Sequence, residues 1–551
     1  MKRTGSYYPL LLLLVSWLAA ELLVNPAGEF PLNDDWAYAK PVKDLLNGHR
    51  LRLCDWQGMT LLSQVIWGYV FSLFTGFSFK ALRFSTLLLS MINISLFYKI
   101  LSDHCRNSLL LMVSVAALLF NPVYFMLSNS FMSEVPYMTF CLASVFFFGR
   151  YTEKGYYGYL LAACLLLFLA VMTRQAGIAI AFAFAVCWLL CRPFSFSHTL
   201  TGILPLCISA VILVCFEYFL SAAGNLPVNY NFQFSMFVDS LCHPGLGALE
   251  RTAYYTLTSL TAAGVFLLPL FPFIPGKERI SRLKKYPLFN FFLAVFLALV
   301  ILKIALAGKY LPFSGNIIYH SGLGPLIMDG FVSYEIPFPG LGLKIFWIAL
   351  TTAGAINAFL FLVFAGNIMR QRLASGNFSR QKIFFPLLCS LTVLFSLFPP
   401  ALIYLPERYI VAALPFIILT AAPLLDEALH EKKEKHSTVF PAVITSAMVL
   451  VTVVLCHDYF VLQEVRWNAL HVLTDKKRIP PSRIDGGYEY NAWHLFDFSK
   501  YHPDTQHKWW WVDRDDYIVT PAILPGHSLE LVYPVRTWLP LSPGKVYVWK
   551  R

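Results

Sequence analysis

Charge is scarce in this sequence of 551 residues. Asp, Glu, Lys and Arg make up 13% of it, whereas a soluble domain carries about a quarter. The scarcity argues against an ordinary soluble globular protein. Catalytic signatures are also missing. No HExxH, no GxSxG, no P-loop and no Rossmann fingerprint in context occurs, which removes zincins, serine hydrolases and nucleotide-driven machines. There is no internal repeat and no low-complexity stretch. The 11 cysteines include no CxxC pair, and most sit inside apolar runs as buried thiols. Only Cys54 and Cys242 fall in segments read as outside the membrane. A disulfide between them is the less favoured of two readings.

What is present is apolar bulk. Hydrophobic residues reach 57% and Phe alone counts 48, as in a polytopic membrane protein. A span needs roughly 17–25 mainly apolar residues. About thirteen segments meet this: 8–24, 80–101, 108–126, 136–150, 157–173, 175–191, 198–222, 255–274, 286–307, 343–366, 383–404, 409–425 and 438–461. The run 8–24 reads as an uncleaved first span. Residues 60–75 are apolar but short and read as a helix lying on the membrane.

The net charge of +12 sits in short loops between apolar runs, so it reports topology rather than nucleic-acid binding. With Lys2 and Arg3 inside, the inner loops carry Arg106, Arg150, Lys154, Arg192, Lys277, Arg279, Arg282, Lys284, Lys285, Arg370, Arg372, Arg380, Lys382, Lys432, Lys433 and Lys435. The short outer loops carry little beyond Arg174, Arg251, Lys309 and Arg408. An odd number of spans then puts the C-terminal tail outside. Counting 60–75 as a span would place the basic loops outside, against the positive-inside rule.

Three outer segments stand out: residues 25–79, the short loop from Ser128 to Glu134, and residues 311–341, whose Gly and Pro content suits a lid or binding loop. From about residue 462 the long apolar runs stop. Stretches 517–520, 529–533 and 545–549 read as short strands, while 487–491 and Pro525-Gly526 read as turns. The expected fold class is an all-α polytopic membrane protein with a small mixed α/β C-terminal domain outside the membrane. The expected division is a transmembrane catalytic domain, 1–461, and a soluble domain, 462–551.

The residues able to carry chemistry lie on the outer face. Asp34-Asp35 puts two adjacent carboxylates beside the membrane, and Asp35 and Tyr38 share a helix face. A carboxylate can take the proton from an attacking hydroxyl; the bland alternative is a solvated helix cap. Glu134, before Pro136, either joins them or simply favours a helix N-terminus. Arg174 and Arg408 can each hold a lipid phosphate or snorkel to the interface. Asn316 and His320, in the third outer loop, can touch a substrate, although a lone His there is more often structural.

These residues come with recurring neighbours. Asp34-Asp35-Trp36-Ala37-Tyr38-Ala39, Ser133-Glu134-Val135-Pro136, Thr173-Arg174-Gln175-Ala176-Gly177 and Arg408-Tyr409, followed by Leu414-Pro415, occur in that order. The ordered set resembles the GT-C fold glycosyltransferases that use polyprenyl-phosphate sugars. The branch is glycosyltransferase family 39, with protein O-mannosyltransferases and lipid A aminoarabinose transferases. Two departures accompany it. Asp55-Trp56-Gln57-Gly58-Met59-Thr60 stands where members often carry Lys-Pro or His-Pro-Pro, and Glu134 stands where Asp is commoner.

The resemblance implies a membrane glycosyltransferase of GT-C type. Its donor would be a polyprenyl-phosphate (undecaprenyl-phosphate-type) sugar, and its acceptor a hydroxyl of a lipid, glycan or protein. It makes Asp34 the general base and gives Asp35 and Glu134 the tasks of orienting the acceptor or binding a cation. Arg174 and Arg408 would stabilise the leaving phosphate, with Tyr38, Tyr409, Asn316 and His320 as further substrate contacts. Paired carboxylates also suit a divalent cation, but this branch often works without one, so no cofactor is assigned. The expected location is a bacterial inner membrane, with the N-terminus cytoplasmic and the C-terminal domain periplasmic. The alternatives are a multi-span transporter or lipid flippase, and a non-catalytic envelope protein. The absence of repeats and the outer position of the acids disfavour the transporter.

Overall fold

The computed structural model describes residues 7–551 except 276–286, 309, 314, 320–321, 324–340, 375–379, 433–437, 498–510, 513 and 541. His320, most of the 311–341 loop, and Lys277, Arg279, Arg282, Lys284, Lys285, Lys433 and Lys435 lie outside the described residues.

The apolar runs form helices, because buried backbone in an apolar environment must satisfy its own hydrogen bonds. In chain order these are α1 (Tyr8–Val24), α2 (Asp35–Leu46), α3 (Leu62–Thr75), α4 (Phe79–His104), α5 (Ser108–Leu119), α6 (Pro122–Ser128), α7 (Glu134–Lys154), α8 (Tyr157–Thr173) and α9 (Ile178–Cys191). Then follow α10 (Phe196–Ala222), α11 (Val228–Cys242), α12 (Leu246–Phe266), α13 (Pro287–Ala307), α14 (Leu341–Ala374), α15 (Arg380–Ile403), α16 (Glu407–Lys432), α17 (Val439–His471) and α18 (Tyr488–Leu495).

Each segment expected to span is helical. Among the described residues six helices are long and apolar enough to cross a membrane, or seven if the bent pair α5–α6 is one span. Four further apolar helices are shorter, so the count of about thirteen spans is not confirmed. The chain is nonetheless a multi-pass helical membrane protein. Residues 60–75 contribute the short helix α3, which buries Gln64, Val65, Gly68 and Ser72 and leaves Ile66, Val70, Leu73 and Phe74 exposed.

Local chemistry sets where helices begin, bend and touch. Ser78 and Asn107 accept from Ala81 N at 2.9 Å and Leu110 N at 3.0 Å, capping α4 and α5. Pro122 cannot continue α5, and the chain bends by 59° between α5 and α6. Asn121 caps the new helix through Val123 N and Tyr124 N. Gly264 faces Gly354 so closely that a Cβ at 264 would stand 1.9 Å from the Gly354 carbonyl oxygen. That contact lets α12 and α14 meet backbone to backbone, as small residues do in membrane bundles. Cys54 and Cys242 are free thiols, the first buried and the second exposed.

The C-terminal segment builds a four-stranded sheet in the order β3-β4-β6-β5. Its strands are β3 (Ile484–Asp485), β4 (Tyr517–Thr520), β5 (Ser528–Pro534) and β6 (Lys545–Lys550). β3 and β4 are parallel and the other pairs antiparallel, with Ile518 opposite Trp549 and Leu529 opposite the same residue. A two-stranded ribbon, β1 (Ile318–Tyr319) and β2 (Gly322–Leu323), precedes it in the chain. The three expected strands are present, β3 is additional, and the expected turn at 487–491 is instead the start of helix α18. Gly487, with φ 90, makes the tight entry, after which Tyr488 to Leu495 has the apolar and aromatic content to pack as a helix.

The sheet is tied to the bundle by α17, which runs past 461 to His471. Asp458 accepts from Trp538 N at 2.7 Å, Leu539 N at 2.9 Å and Ser542 Oγ at 2.7 Å. The His457 ring stacks on Trp538 at 3.6 Å. Arg466, in the last turns of α17, donates to Gly486 O at 2.8 Å and to Glu489 Oε2 at 3.1 Å. Both charges of that pair are fully buried.

Candidate active site

Five helix ends meet in one place. They are the start of α2, the first turn of α7, the end of α8, the start of α16 and the start of α18. Helix ends carry unsatisfied backbone groups and suit charged side chains, so ionisable residues collect there at low cost in an otherwise apolar bundle.

Asp34 is the N-cap residue of α2, yet its side chain makes no cap bond. Its Oδ1 accepts from Trp56 Nε1 at 3.1 Å and from the Tyr488 hydroxyl at 2.6 Å. Its Oδ2 accepts from Arg408 Nη1 at 3.0 Å. Arg408 Nε also lies 3.5 Å from Glu134 Oε1. Arg174 Nη1 donates to the same Glu134 oxygen at 2.7 Å and to Ser133 Oγ at 3.0 Å. Two carboxylates and two guanidinium groups thus alternate as Asp34, Arg408, Glu134, Arg174. The Tyr409 ring lies under both cations, at 4.5 Å from the Arg174 guanidinium carbon and 5.5 Å from that of Arg408. The Tyr38 hydroxyl lies against Met59 Sδ at 3.4 Å. Burial, and then the Asp34 charge, push its phenol well above the usual range.

The cluster is almost closed to solvent: Glu134 is 1% exposed, whereas the Asp34 side chain retains 14%. Glu134 Oε2 and Arg408 Nε are buried without a hydrogen-bond partner. A ligand or water can complete the bonding of such buried atoms.

Of the expected site residues, Asp34, Glu134, Tyr38, Arg174, Arg408 and Tyr409 come together. Asp35 turns away from them. It is 2% exposed, and its two oxygens accept from Leu32 N at 2.6 Å and Phe131 N at 3.3 Å, fastening the segment before α2 to the segment before α7. Burial raises its carboxyl well above the usual range against the opposing pull of the Arg83 charge. Asn316 reaches the margin of the site through a 3.4 Å bond from Asn33 Nδ2. His320 lies outside the described residues.

Sequence reasoning missed two partners of Asp34. Trp56 belongs to the stretch where the chain departs from the expected Lys-Pro or His-Pro-Pro element. That departure was a usable signal. Tyr488 lies 454 positions from Asp34, in a segment read as a turn, and nothing local announced it. Trp36, Trp56, Tyr488, Phe496 and Trp511 form an aromatic wall around the contact, with ring centroids 5.1 to 6.4 Å apart. Glu407, the residue before Arg408 in the chain, lines a cavity of about 210 Å³ with Tyr254, Tyr255, Thr258, Tyr404 and Ile410, among others.

The Asp34 and Glu134 carboxylates already face guanidinium groups, Asp35 is spent on backbone N–H groups, and no three His, Cys, Asp or Glu side chains gather as a metal site among the described residues.

Residues 61–221 match the family model described as dolichyl-phosphate-mannose-protein mannosyltransferase. Glu134 and Arg174 fall inside that segment, Asp34 and Arg408 outside it. No curated protein matches the chain. Among solved structures, the chain is similar to ArnT from Cupriavidus metallidurans bound to undecaprenyl phosphate. Identity there is 14% and the TM-score 0.44, with 99% of this chain and 98% of that one covered. It is also similar to the oligosaccharyltransferase AglB from Archaeoglobus fulgidus, in complex with an inhibitory peptide and a dolichol-phosphate. There identity is 14% and the TM-score 0.42, covering 91% of this chain and 61% of that one, so the chain spans less than two thirds of AglB. The resemblance of the four ordered motifs to the GT-C glycosyltransferases that use polyprenyl-phosphate sugars is therefore joined by a family-model match over residues 61–221.

Proposed function

We propose that this protein is an integral-membrane glycosyltransferase. It takes a sugar from a polyprenyl-phosphate donor at the outer face of the cytoplasmic membrane and passes it, with inversion, to a hydroxyl of a lipid, glycan or protein acceptor. One observation carries the reading: the candidate base Asp34 and the candidate phosphate ligand Arg408 share a 3.0 Å bond in a nearly closed, charge-alternating cluster. The motif order and the match over 61–221 support the same chemistry.

In this mechanism Asp34 takes the acceptor proton as the hydroxyl oxygen attacks the anomeric carbon. The sugar–phosphate bond breaks, and negative charge develops on the departing polyprenyl phosphate. Each guanidinium carries five N–H donors, so Arg408 and Arg174 hold their carboxylates and still have donors for phosphate oxygens. Being preorganised and shielded from water, they stabilise the charge as it appears. Glu134 keeps both cations in place. The cavity lined by Glu407 and Ile410 would hold the sugar–phosphate part of the donor. We place the N-terminus in the cytoplasm and residues 462–551 outside, as a C-terminal domain docked on the helical bundle of an inner-membrane protein.

The test is sugar transfer by purified protein in detergent, with a panel of polyprenyl-phosphate sugars, comparing wild type with Asp34→Asn. Donor consumption by wild type, lost in the variant while donor binding and melting persist, supports the reading. Full activity in Asp34→Asn removes Asp34 as base. Donor movement across a bilayer without cleavage would instead identify a transporter.

A further inference from the structure

We infer that Tyr488 is a positioning residue for the reaction, and that through it the C-terminal segment forms part of the active site. This inference rests on the glycosyl-transfer reading above and adds a residue that neither the motifs nor the matched segment contains. Its basis is geometric. The Tyr488 hydroxyl donates to Asp34 Oδ1 at 2.6 Å, in the short range of charge-assisted O–H···O⁻ bonds. The next residue makes a second bond to the same turn: Glu489 Oε1 accepts from Asn33 N at 3.4 Å. Glu489 is in turn held by the fully buried Arg466. A third tie, from Lys40 Nζ to Ala492 O at 3.2 Å, fastens the far end of α18 to α2.

Among the described residues, three donors reach the Asp34 carboxylate from distant parts of the chain: Trp56 between α2 and α3, Arg408 at the start of α16 and Tyr488 at the start of α18. Together they fix the carboxylate plane. A carboxylate has about four lone-pair sites. Among the described residues, Trp56 and Tyr488 take those of Oδ1 and Arg408 takes one of Oδ2, which leaves a site of Oδ2 to receive an acceptor hydroxyl. Without the Tyr488 hydroxyl the carboxylate can rotate, and its aim at the acceptor is lost even though nothing touching the donor has changed. The Tyr488 ring, 9% exposed and packed against Trp36, Trp56 and Trp511, can remain in place when the hydroxyl is removed. The contribution of the hydroxyl is therefore separable from that of the ring.

The experiment is Tyr488→Phe in the full chain, alone and combined with Asp34→Asn. It reads donor KM, kcat for transfer, and melting midpoint. The expected result is a fall in kcat of about tenfold to a hundredfold, the range for losing one hydrogen bond to a charged group. Donor KM should be unchanged, the melting midpoint should fall as for the loss of one hydrogen bond to a charged group, and Tyr488→Phe should lower melting less in the Asp34→Asn background. Wild-type kcat in Tyr488→Phe, or an equal loss of melting on Tyr488→Phe in the Asp34→Asn background, overturns the inference. If instead the wild type transfers no sugar while Asp34 and Tyr488 remain coupled in a melting double-variant cycle, the glycosyl-transfer reading fails and the contact stands.

Discussion

Asp34 and Arg408 are 374 positions apart in sequence and share a 3.0 Å ion pair. Arg408 also faces Glu134, so one guanidinium serves two carboxylates. Arg408→Ala would leave two like charges in a nearly closed site. Removing one partner of a buried ion pair costs about 3–5 kcal/mol, so the melting midpoint in detergent should drop sharply. Arg408→Lys keeps the charge but loses the planar fork and should fall between. An Arg408→Ala protein that melts with the wild type would show that the cluster does not hold these helix ends together.

Asp35 gives the pH dependence. Its carboxyl is raised by burial, so the folded protein binds that proton more tightly than the unfolded chain. The resulting stability is fully present below the unfolded carboxylate value of about 3.9 and is lost as pH rises through the folded value. Asp35→Asn cannot ionise and should melt below wild type in acid, with the gap narrowing as pH rises. A gap independent of pH would contradict the assignment.

The buried pair Arg466 and Glu489 anchors α18. Arg466→Ala leaves the Glu489 charge uncompensated, again at about 3–5 kcal/mol. Limited proteolysis should then cut the C-terminal segment faster than in wild type, and transfer should fall with it. Unchanged cleavage would mean that other contacts, such as Asp458 with Trp538 and Leu539, suffice to dock the sheet.

Thr258 lines the cavity that also contains Glu407 and Tyr404. Thr258→Phe fills part of its volume, so donor KM should rise about tenfold, the effect of roughly 1.4 kcal/mol, with kcat and melting little changed. An unchanged KM would place the donor elsewhere.

Cys242 is exposed and Cys54 buried. On the proposed topology a membrane-impermeant maleimide should label Cys242 on whole cells and spare Cys54 until the protein is unfolded. Labelling of Cys242 only after permeabilisation would invert the topology.

Much of the fold was legible because its signals are local. Apolar runs long enough to span can satisfy their backbone only as helices, and all those expected are helical. Alternating β-branched and aromatic residues marked three of the four strands in the C-terminal sheet. The misreadings have the same cause in reverse. Residues 487–491 contain Gly, Tyr and Asn and look like a turn, yet packing of Tyr488 and Tyr490 makes a helix begin there. Helix α11 lies in a segment with too little apolar bulk to have been noticed.

By itself the sequence determined that the chain is a helical membrane protein and which charged residues stand near helix ends, since both follow from composition and spacing. Only the tertiary structure decided which of those charges meet. It separated two adjacent aspartates, turning Asp34 to Arg408 and Asp35 to the backbone of Leu32 and Phe131. It also brought Tyr488 to Asp34 from the far end of the chain. The reason is physical. Neighbouring side chains on a helix diverge by about 100°, so adjacency in sequence sends two carboxylates in different directions. Convergence of five helix ends is a property of packing, which no local pattern encodes.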